Sequence, residues 1–225
     1  MLAESRSPGG LRGGDFYTFA LRAPTRLAVV IGDACGRGRD GAALVPEVVP
    51  IVDSLLLSDL SPSALLREVN RAIFGKIPRD RFVTAAAFEL DLGAGVLVGS
   101  CAGHVPMLLR NAETGVSAFC SASGPPLGIL EDYGYEDASR ELHRGDVAIF
   151  MTDGLLEALE TDLVSMGTLR DILAEAPAGN GAVHRFLLAQ LDRSTTKDRA
   201  DDALLLSLEV TGESETSQAP HDGAA

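Results

Sequence analysis

Four aspartates share a local setting that suits metal binding. Asp15, Asp33 and Asp153 stand beside a glycine and an apolar run in "GGDFY", "VVIGDACG" and "IFMTDG". Asp201 precedes the apolar run "ALLLSL". A single aspartate of this kind is usually a turn or cap residue. Four in the same setting favour a site for hard divalent ions, because Mg²⁺ and Mn²⁺ take oxygen ligands in near-octahedral geometry.

A glycine pattern in the same region suggests a different chemistry, that of a dinucleotide site. The stretch "ACGRGRDG" contains the spacing G-x-G-x-x-G at Gly36, Gly38 and Gly41. Asp53 lies at about the distance of a ribose-binding carboxylate. In such a site, however, the first glycine leaves the strand directly, whereas "GDAC" intervenes here and Asp33 would repel phosphate. The nucleotide interpretation is therefore the weaker one.

The composition excludes several classes of partner. The chain has 225 residues, a formal net charge of −13 and an estimated pI of about 4.6. This balance argues against binding to nucleic acid or to anionic membranes, which requires a basic surface. The three cysteines form no C-x-x-C pair, and no stretch resembles a signal peptide or a membrane span. We therefore expect a cytoplasmic protein with reduced thiols; its oligomeric state is left open.

The order of predicted elements indicates an α+β fold. Two strands come first, then a region of helical spacing in which Pro46 and Pro50 predict a kink or a late start, then a cleaner helix from Ser61. Several short strands follow over 82–110, and a further strand or two end at Asp153. Two amphipathic helices and a last buried strand complete the order. Such segregation favours layered antiparallel sheets over alternating βαβ units.

The composition also suggests how the chain is divided. Residues 1–12 are rich in Gly, Ser and Arg and are expected to form a flexible N-terminus. Residues 13–210 are expected to form one domain. The polar stretch 211–225 has almost nothing to bury and is expected to be disordered.

Seven stretches resemble, in the same order, the bacterial SpoIIE-type serine/threonine phosphatases of the metal-dependent PPM superfamily, which also includes the eukaryotic type 2C enzymes. The stretches are "GGDFYTF", "LAVVIGDACGRGRDGAAL", "FVTAAAFELD", "GSCAGHVPMLLR", "GPPLGIL", "LHRGDVAIFMTDGLLEA" and "DDALLLSLEV". The resemblance implies an α-β-β-α sandwich of two antiparallel β-sheets flanked by helices. It also implies two Mn²⁺ or Mg²⁺ ions at one edge of the sheets.

Carried over by motif position, the resemblance assigns a metal ligand set: Asp15, Asp33, the Ala34 carbonyl, Asp153 and Asp201. Asp33 would bridge both ions, and Asp33 and Asp153 would be the catalytic residues. Asp202 is expected to neighbour a ligand rather than to be one. The implied chemistry is attack of a metal-activated water on a phosphoserine or phosphothreonine, with no covalent enzyme intermediate.

Three positions differ from the family pattern or stand outside its chemistry. Cys35 occupies the place where eukaryotic relatives have a histidine proposed as general acid, and we interpret it as a small buried residue. His104 in "CAGHVP" is interpreted as a structural histidine. Leu156 stands where family members commonly have threonine.

We expect no sensor or membrane segment before the phosphatase-like region. The region resembles the stand-alone, RsbX-like feedback phosphatases of stress-response partner switching. The implied partner is a phosphorylated STAS-domain protein of the anti-sigma-factor antagonist type. The alternative is a catalytically weak domain that binds a STAS-type partner as a scaffold.

Overall fold

A computed structural model describes residues 1–6, 13–36, 39–111, 114–119, 124–159, 166–177, 181–193 and 202–211. The strands are β1 (Leu2–Arg6), β2 (Asp15–Ala23), β3 (Arg26–Ala34), β4 (Val83–Asp91), β5 (Val96–Ala102), β6 (Met107–Asn111), β7 (Gly115–Phe119), β8 (Ala138–Glu141), β9 (Val147–Met151) and β10 (Ala203–Glu209). The helices are α1 (Arg39–Ala42), α2 (Val45–Leu56), α3 (Pro62–Ile73), α4 (Asp153–Leu159), α5 (Met166–Ala174) and α6 (Ala182–Arg193).

The strands form two five-stranded sheets with different strand orders. One sheet has the order β1-β10-β9-β6-β7, and the other has β2-β3-β4-β5-β8. Every ladder between these strands is antiparallel. The expected α-β-β-α sandwich is thereby confirmed, because the sheets pack face to face and helices cover both outer faces.

Three apolar clusters hold these layers together. The central one lies between the sheets and includes Ile31, Phe88 and Phe150. The rings of Phe88 and Phe150 pack edge to face, with their centroids 4.9 Å apart. A second cluster joins α2 and α3 to the outer face of the β2-β3-β4-β5-β8 sheet. The third joins α4, α5 and α6 to the other sheet. Along β3 the side chains alternate between the first two clusters, which accounts for the continuous apolar run "LAVVI".

The helical region after β3 begins late, as its prolines predict. A four-residue helix, α1, precedes α2, and Pro46 lies in the first turn of α2, where its missing N–H has no intrahelical partner. Pro50 lies inside α2. Helix α3 starts as expected, because the Ser61 hydroxyl accepts a hydrogen bond from Ala64 N and Pro62 occupies the first turn.

Two strands differ from what the sequence predicts. The sequence predicts a flexible segment over 1–12, but Leu2–Arg6 pair along their full length with β10, from Leu2 opposite Ser207 to Arg6 opposite Ala203. Backbone pairing to the edge of an existing sheet does not require an apolar sequence, so this strand has no composition signal. Strand β7 is likewise unpredicted and pairs with β6. Within the described residues, no helix is long and apolar enough to cross a bilayer.

Candidate metal centre

Asp15 and Asp33 lie opposite each other at one end of the β2-β3-β4-β5-β8 sheet. Asp15 is the first residue of β2 and pairs in register with Asp33, one residue before the end of β3. Residues directly opposite in an antiparallel pair point to the same face, with Cβ atoms about 5 Å apart. Asp33 has the same parity as Val29 and Ile31, so both carboxylates face the other sheet. The hairpin therefore brings together two acids that are 18 positions apart in the sequence.

Thr152 connects this end of one sheet to the other sheet. Its hydroxyl donates to Asp15 Oδ2 at 2.7 Å and accepts from Leu204 N at 3.0 Å. Thr152 follows β9 and is fully buried, and it immediately precedes Asp153, the first residue of α4. The hydrogen bond from Thr152 to Asp15 thus connects the two sheets beside the predicted ligands. Thr152 was not predicted from the sequence, although its position between a strand and an aspartate in "MTDG" is a signal that could have identified it.

Of the two adjacent aspartates before β10, the structure describes Asp202 but not Asp201. Asp201 lies outside the described residues, so its predicted role as a ligand stays a prediction. Asp202 is buried next to β10. A Cβ atom added at Gly13 would lie 1.2 Å from Asp202 Oδ2, and one added at Gly154 would lie 1.7 Å from the Asp202 carbonyl oxygen. Glycine is therefore required at both positions for Asp202 to lie at the centre.

Glycines also surround the Ala34 carbonyl, which is the predicted backbone ligand. A Cβ atom at Gly14 would lie 2.4 Å from Ala34 O and 2.5 Å from Asp33 Oδ1, and one at Gly41 would lie 2.7 Å from Ala34 O. Ala34 N donates to Gly14 O at 3.1 Å. A larger residue at position 14 would occupy the space beside Ala34 O and Asp33 Oδ1, and one at position 41 would occupy the space beside Ala34 O. The glycine-rich loop thus leaves room next to potential ligands.

The ionised form of Asp15 is disfavoured by burial and by neighbouring negative charges. Its pKa is raised to about 8, chiefly by burial and further by the negative charges of Asp33, Asp202 and Asp153, while the hydrogen bond from Thr152 lowers it. Each of these three carboxylates therefore lies near enough to Asp15 to act on its charge. A cation bound among them would offset this repulsion.

The residues present fit hard divalent ions. The donors are carboxylate and carbonyl oxygens, and a cavity of about 250 Å³ lies beside Asp15 and Asp202, bordered by Gly13, Pro46 and others. No three His, Cys, Asp or Glu side chains in the described ranges form a cluster able to hold an ion by themselves. Coordination would therefore include backbone oxygen, water or Asp201, which agrees with the tendency of Mg²⁺ to keep several waters.

The structure contradicts the alternative interpretation of this loop as a dinucleotide site. The helix after the loop, α1, has four residues, and the sheets are antiparallel rather than doubly wound. Asp53 accepts a hydrogen bond from Thr18 on β2 and does not face the loop glycines as a ribose ligand would. Gly38 lies outside the described residues. Gly36 has a φ of 121°, a backbone conformation that glycine allows.

The interpretation of Cys35 needs a correction, and that of His104 agrees with its setting. Cys35 is half-buried rather than buried, and its Sγ accepts a hydrogen bond from Phe82 N at 3.0 Å. Arg81 holds the same turn by donating from Nη1 to Cys35 O at 3.3 Å. His104 is buried, and burial lowers its pKa to about 4. Leu156 packs against the cluster that joins α4–α6 to their sheet.

Comparison with known sequences identifies one family and a relative of known name. The sequence model of the Stage II sporulation protein E (SpoIIE) family matches residues 23–211. The phosphoserine phosphatase RsbU of Bacillus subtilis (strain 168) is 25% identical over 150 residues, which are 67% of this chain and 44% of RsbU. The chain thus spans less than half of that relative's length.

Comparison with solved structures shows the same fold. The PP2C phosphatase domain of SpoIIE from Bacillus subtilis, solved with a fragment of its regulatory domain, matches with a TM-score of 0.81 at 18% identity. That match covers 94% of this chain and 64% of that chain. RsbX in complex with magnesium matches with a TM-score of 0.69 at 16% identity, covering 91% of this chain and 92% of that chain.

Proposed function

The chain belongs to the SpoIIE family, and we propose that it is a metal-dependent protein phosphatase acting on phosphoserine or phosphothreonine. The observation that carries the proposal is the pairing of Asp15 with Asp33 at one end of the sandwich, where Thr152, the residue before Asp153, donates to the Asp15 carboxylate. The relative RsbU is named a phosphoserine phosphatase, and RsbX was solved with magnesium. Both agree with hydrolysis of a phosphate monoester at an acidic metal centre.

The proposed ligands are Asp15, Asp33, the Ala34 carbonyl, Asp153 and Asp201, holding two Mn²⁺ or Mg²⁺ ions. Asp202 joins this set as a candidate, because it lies among the carboxylates that raise the pKa of Asp15. When bound, such a pair of ions supplies an activated water nucleophile and neutralises charge on the phosphate.

The protein's own residues position this chemistry and set its charge. Asp33 lies on β3 of one sheet and Asp153 begins α4 just after β9 of the other, so a site between them is held by the packing of the whole sandwich. Thr152 holds the Asp15 carboxylate by one oxygen and leaves the other available to a ligand. Gly14 and Gly41 keep the space beside Ala34 O clear. Negative charge at the centre would repel a phosphate dianion, so substrate binding requires the cations to be in place.

The proposed substrate is a phosphorylated STAS-domain regulator in a partner-switching stress or signalling pathway in the cytoplasm. The support for this step is the family resemblance and the relative RsbU, and fold alone does not determine a substrate. The net charge of −13 agrees with a protein substrate rather than a nucleic acid.

The experiment measures phosphate release from p-nitrophenyl phosphate and from a phosphorylated STAS-domain protein, with Mn²⁺ and then with EDTA. Hydrolysis that requires Mn²⁺ and falls more than about 100-fold in Asp33→Asn and Asp153→Asn supports the proposal. Asp53→Asn is the matched control, because this exposed carboxylate contacts Thr18 rather than the centre. Its activity should equal that of the wild type.

Two outcomes would contradict the proposal. Activity that survives in both Asp33→Asn and Asp153→Asn would exclude the metal centre as its source. Tight binding of a STAS-domain protein without hydrolysis of any phosphoprotein would favour the scaffold instead.

A further inference from the structure

His104 is a buried histidine that the proposed chemistry does not use. It lies in the turn between β5 and β6 and is 6% exposed. The turn is fixed in place, because Gly103 forms a bridge to Ala85 and has a φ of 69°, and Cys101 Sγ donates to His104 O at 3.1 Å. The imidazole is therefore held in the layer between the two sheets.

A short chain of polar contacts runs from His104 to the metal centre. His104 Nδ1 lies 3.0 Å from Thr84 Oγ1, and Thr84 Oγ1 lies 3.4 Å from the Asp33 carbonyl oxygen. Thr84 is also the residue opposite Asp33 in the β3–β4 ladder. His104 thus contacts the strand that supports Asp33 without touching the Asp33 carboxylate.

One arrangement of protons satisfies both contacts of Thr84. Its hydroxyl has a single proton, so it can donate to Asp33 O only if it accepts from His104 Nδ1. The Nε2 atom of His104 is buried and makes no hydrogen bond of ordinary geometry within the described residues, although the Met151 backbone acts on the ring and raises its pKa against the effect of burial. With its proton on Nδ1, the neutral ring donates to Thr84 and carries no proton on Nε2. Burial lowers the pKa of His104 to about 4, so the ring is neutral at physiological pH.

The peptide group between Asp33 and Ala34 is then held from both sides. Its carbonyl receives the Thr84 hydroxyl, and its N–H, that of Ala34, donates to Gly14 O at 3.1 Å. The two predicted metal-binding oxygens, the Asp33 carboxylate and the Ala34 carbonyl, are attached on either side of this peptide. Rotation of the peptide would move both of them.

We propose that His104 is a positioning residue for the metal centre, acting through Thr84 on the Asp33–Ala34 peptide. The inference rests on the proposed metal-dependent phosphatase function and adds to it the part of the protein that orients two ligands together. Partners of this kind typically contribute 10- to 100-fold in metal affinity or activity.

The test measures Mn²⁺ binding by calorimetry in variants that keep, remove or move a hydrogen-bonding atom of Thr84 or His104. Thr84→Val keeps the shape and removes the hydroxyl, whereas Thr84→Ser keeps the hydroxyl. His104→Asn places its amide near the position of Nδ1, whereas His104→Gln places it near Nε2. We expect about 10- to 100-fold weaker Mn²⁺ binding in Thr84→Val and His104→Gln, and wild-type binding within about threefold in Thr84→Ser and His104→Asn.

A spectroscopic measurement on the metal-free wild type supplies an independent readout. The ¹⁵N shifts of the imidazole distinguish the two neutral tautomers, and the signal of His104 is assigned by its loss in His104→Asn. The protonated nitrogen should be Nδ1. An Nε2–H tautomer would overturn the inference.

The outcomes separate this inference from the proposed function. Wild-type Mn²⁺ affinity in Thr84→Val, with normal hydrolysis by the wild type, would overturn the role of His104 and leave the phosphatase proposal standing. Absence of Mn²⁺ binding and of hydrolysis in the wild type would overturn both.

Discussion

At the scale of single residues, the carboxylate of Asp15 connects the stability of the protein to metal binding. It accepts a hydrogen bond from Thr152, and burial together with the charges of three other aspartates raises its pKa from 3.8 to about 8. Folding therefore takes up a proton between about pH 4 and pH 8 when no metal is bound. The centre is built for a cation, and the protein without one carries unfavourable charge.

Asp15→Asn should stabilise the metal-free protein at high pH. A group whose pKa is raised on folding contributes stability below its unfolded value, and this contribution is lost as the pH rises through the folded value of about 8. We expect the variant to melt about 5 °C above the wild type at pH 9 in EDTA, and the difference to shrink at pH 5. An equal difference at both pH values would contradict this account of Asp15.

Gly14→Ala should fold and lose metal binding. The added Cβ would meet Ala34 O and Asp33 Oδ1 at 2.4 and 2.5 Å, so one methyl group would displace two predicted ligands. We expect Mn²⁺ affinity to fall by more than about 10-fold in calorimetry. Gly134→Ala is the control, because nothing lies within 4 Å of a Cβ atom there. Similar losses in the two variants would show that the effect is not local to the centre.

At the scale of elements, the hairpin of β2 and β3 and the segment from β9 to α4 carry the aspartates to one end of the sandwich. Much of this could be predicted from the sequence. The apolar runs predict β3, β4, β9 and β10. The positions of Pro46 and Pro50 predict a kink or a late start in the helical region that contains α2. The metal-binding acids could be named because each stands at the boundary of such a run.

Other elements could not be predicted because their determinants are not local. Leu2–Arg6 form a strand through backbone pairing with β10, which their composition does not reveal. Threonine is common within strands and at their ends, so residue type alone does not single out Thr152 or Thr84. Their importance depends on what lies across the sheets, Asp15 in one case and His104 in the other.

Pro50→Ala should stabilise the protein through α2 alone. Pro50 is exposed inside the helix, and it lacks the N–H that would donate to the Pro46 carbonyl. Restoring that donor should raise the free energy of unfolding by about 1–2 kcal/mol in urea titrations, after allowance for the more flexible unfolded chain. Pro46→Ala should give no such gain, because its N–H would have no partner in the first turn. A gain in Pro46→Ala equal to that in Pro50→Ala would contradict this explanation.

At the scale of the whole molecule, the centre joins two sheets that pack through an apolar cluster in the middle of the sandwich. Phe88 and Phe150 meet in the middle of the sandwich, while Thr152 and Asp15 meet at its end. Ions bound at this end would hold together residues from both sheets, so metal binding should stabilise the fold as a unit.

Mn²⁺ should therefore raise the melting temperature of the wild type. A ligand at 100 times its dissociation constant adds about 2.7 kcal/mol to the free energy of unfolding if it binds the folded state alone. Asp33→Asn should remove most of this gain, whereas Asp53→Asn should keep it. A gain that persists in Asp33→Asn would place the stabilising ion elsewhere.

The most direct measurement is a crystal structure of the protein soaked in Mn²⁺, with anomalous scattering recorded at the manganese edge. The account predicts two peaks at the end of the sandwich, within coordination distance of Asp33 and of Asp15 or Asp153. A fully soaked crystal with no peak beside Asp33, or with manganese bound only at another surface, would contradict it.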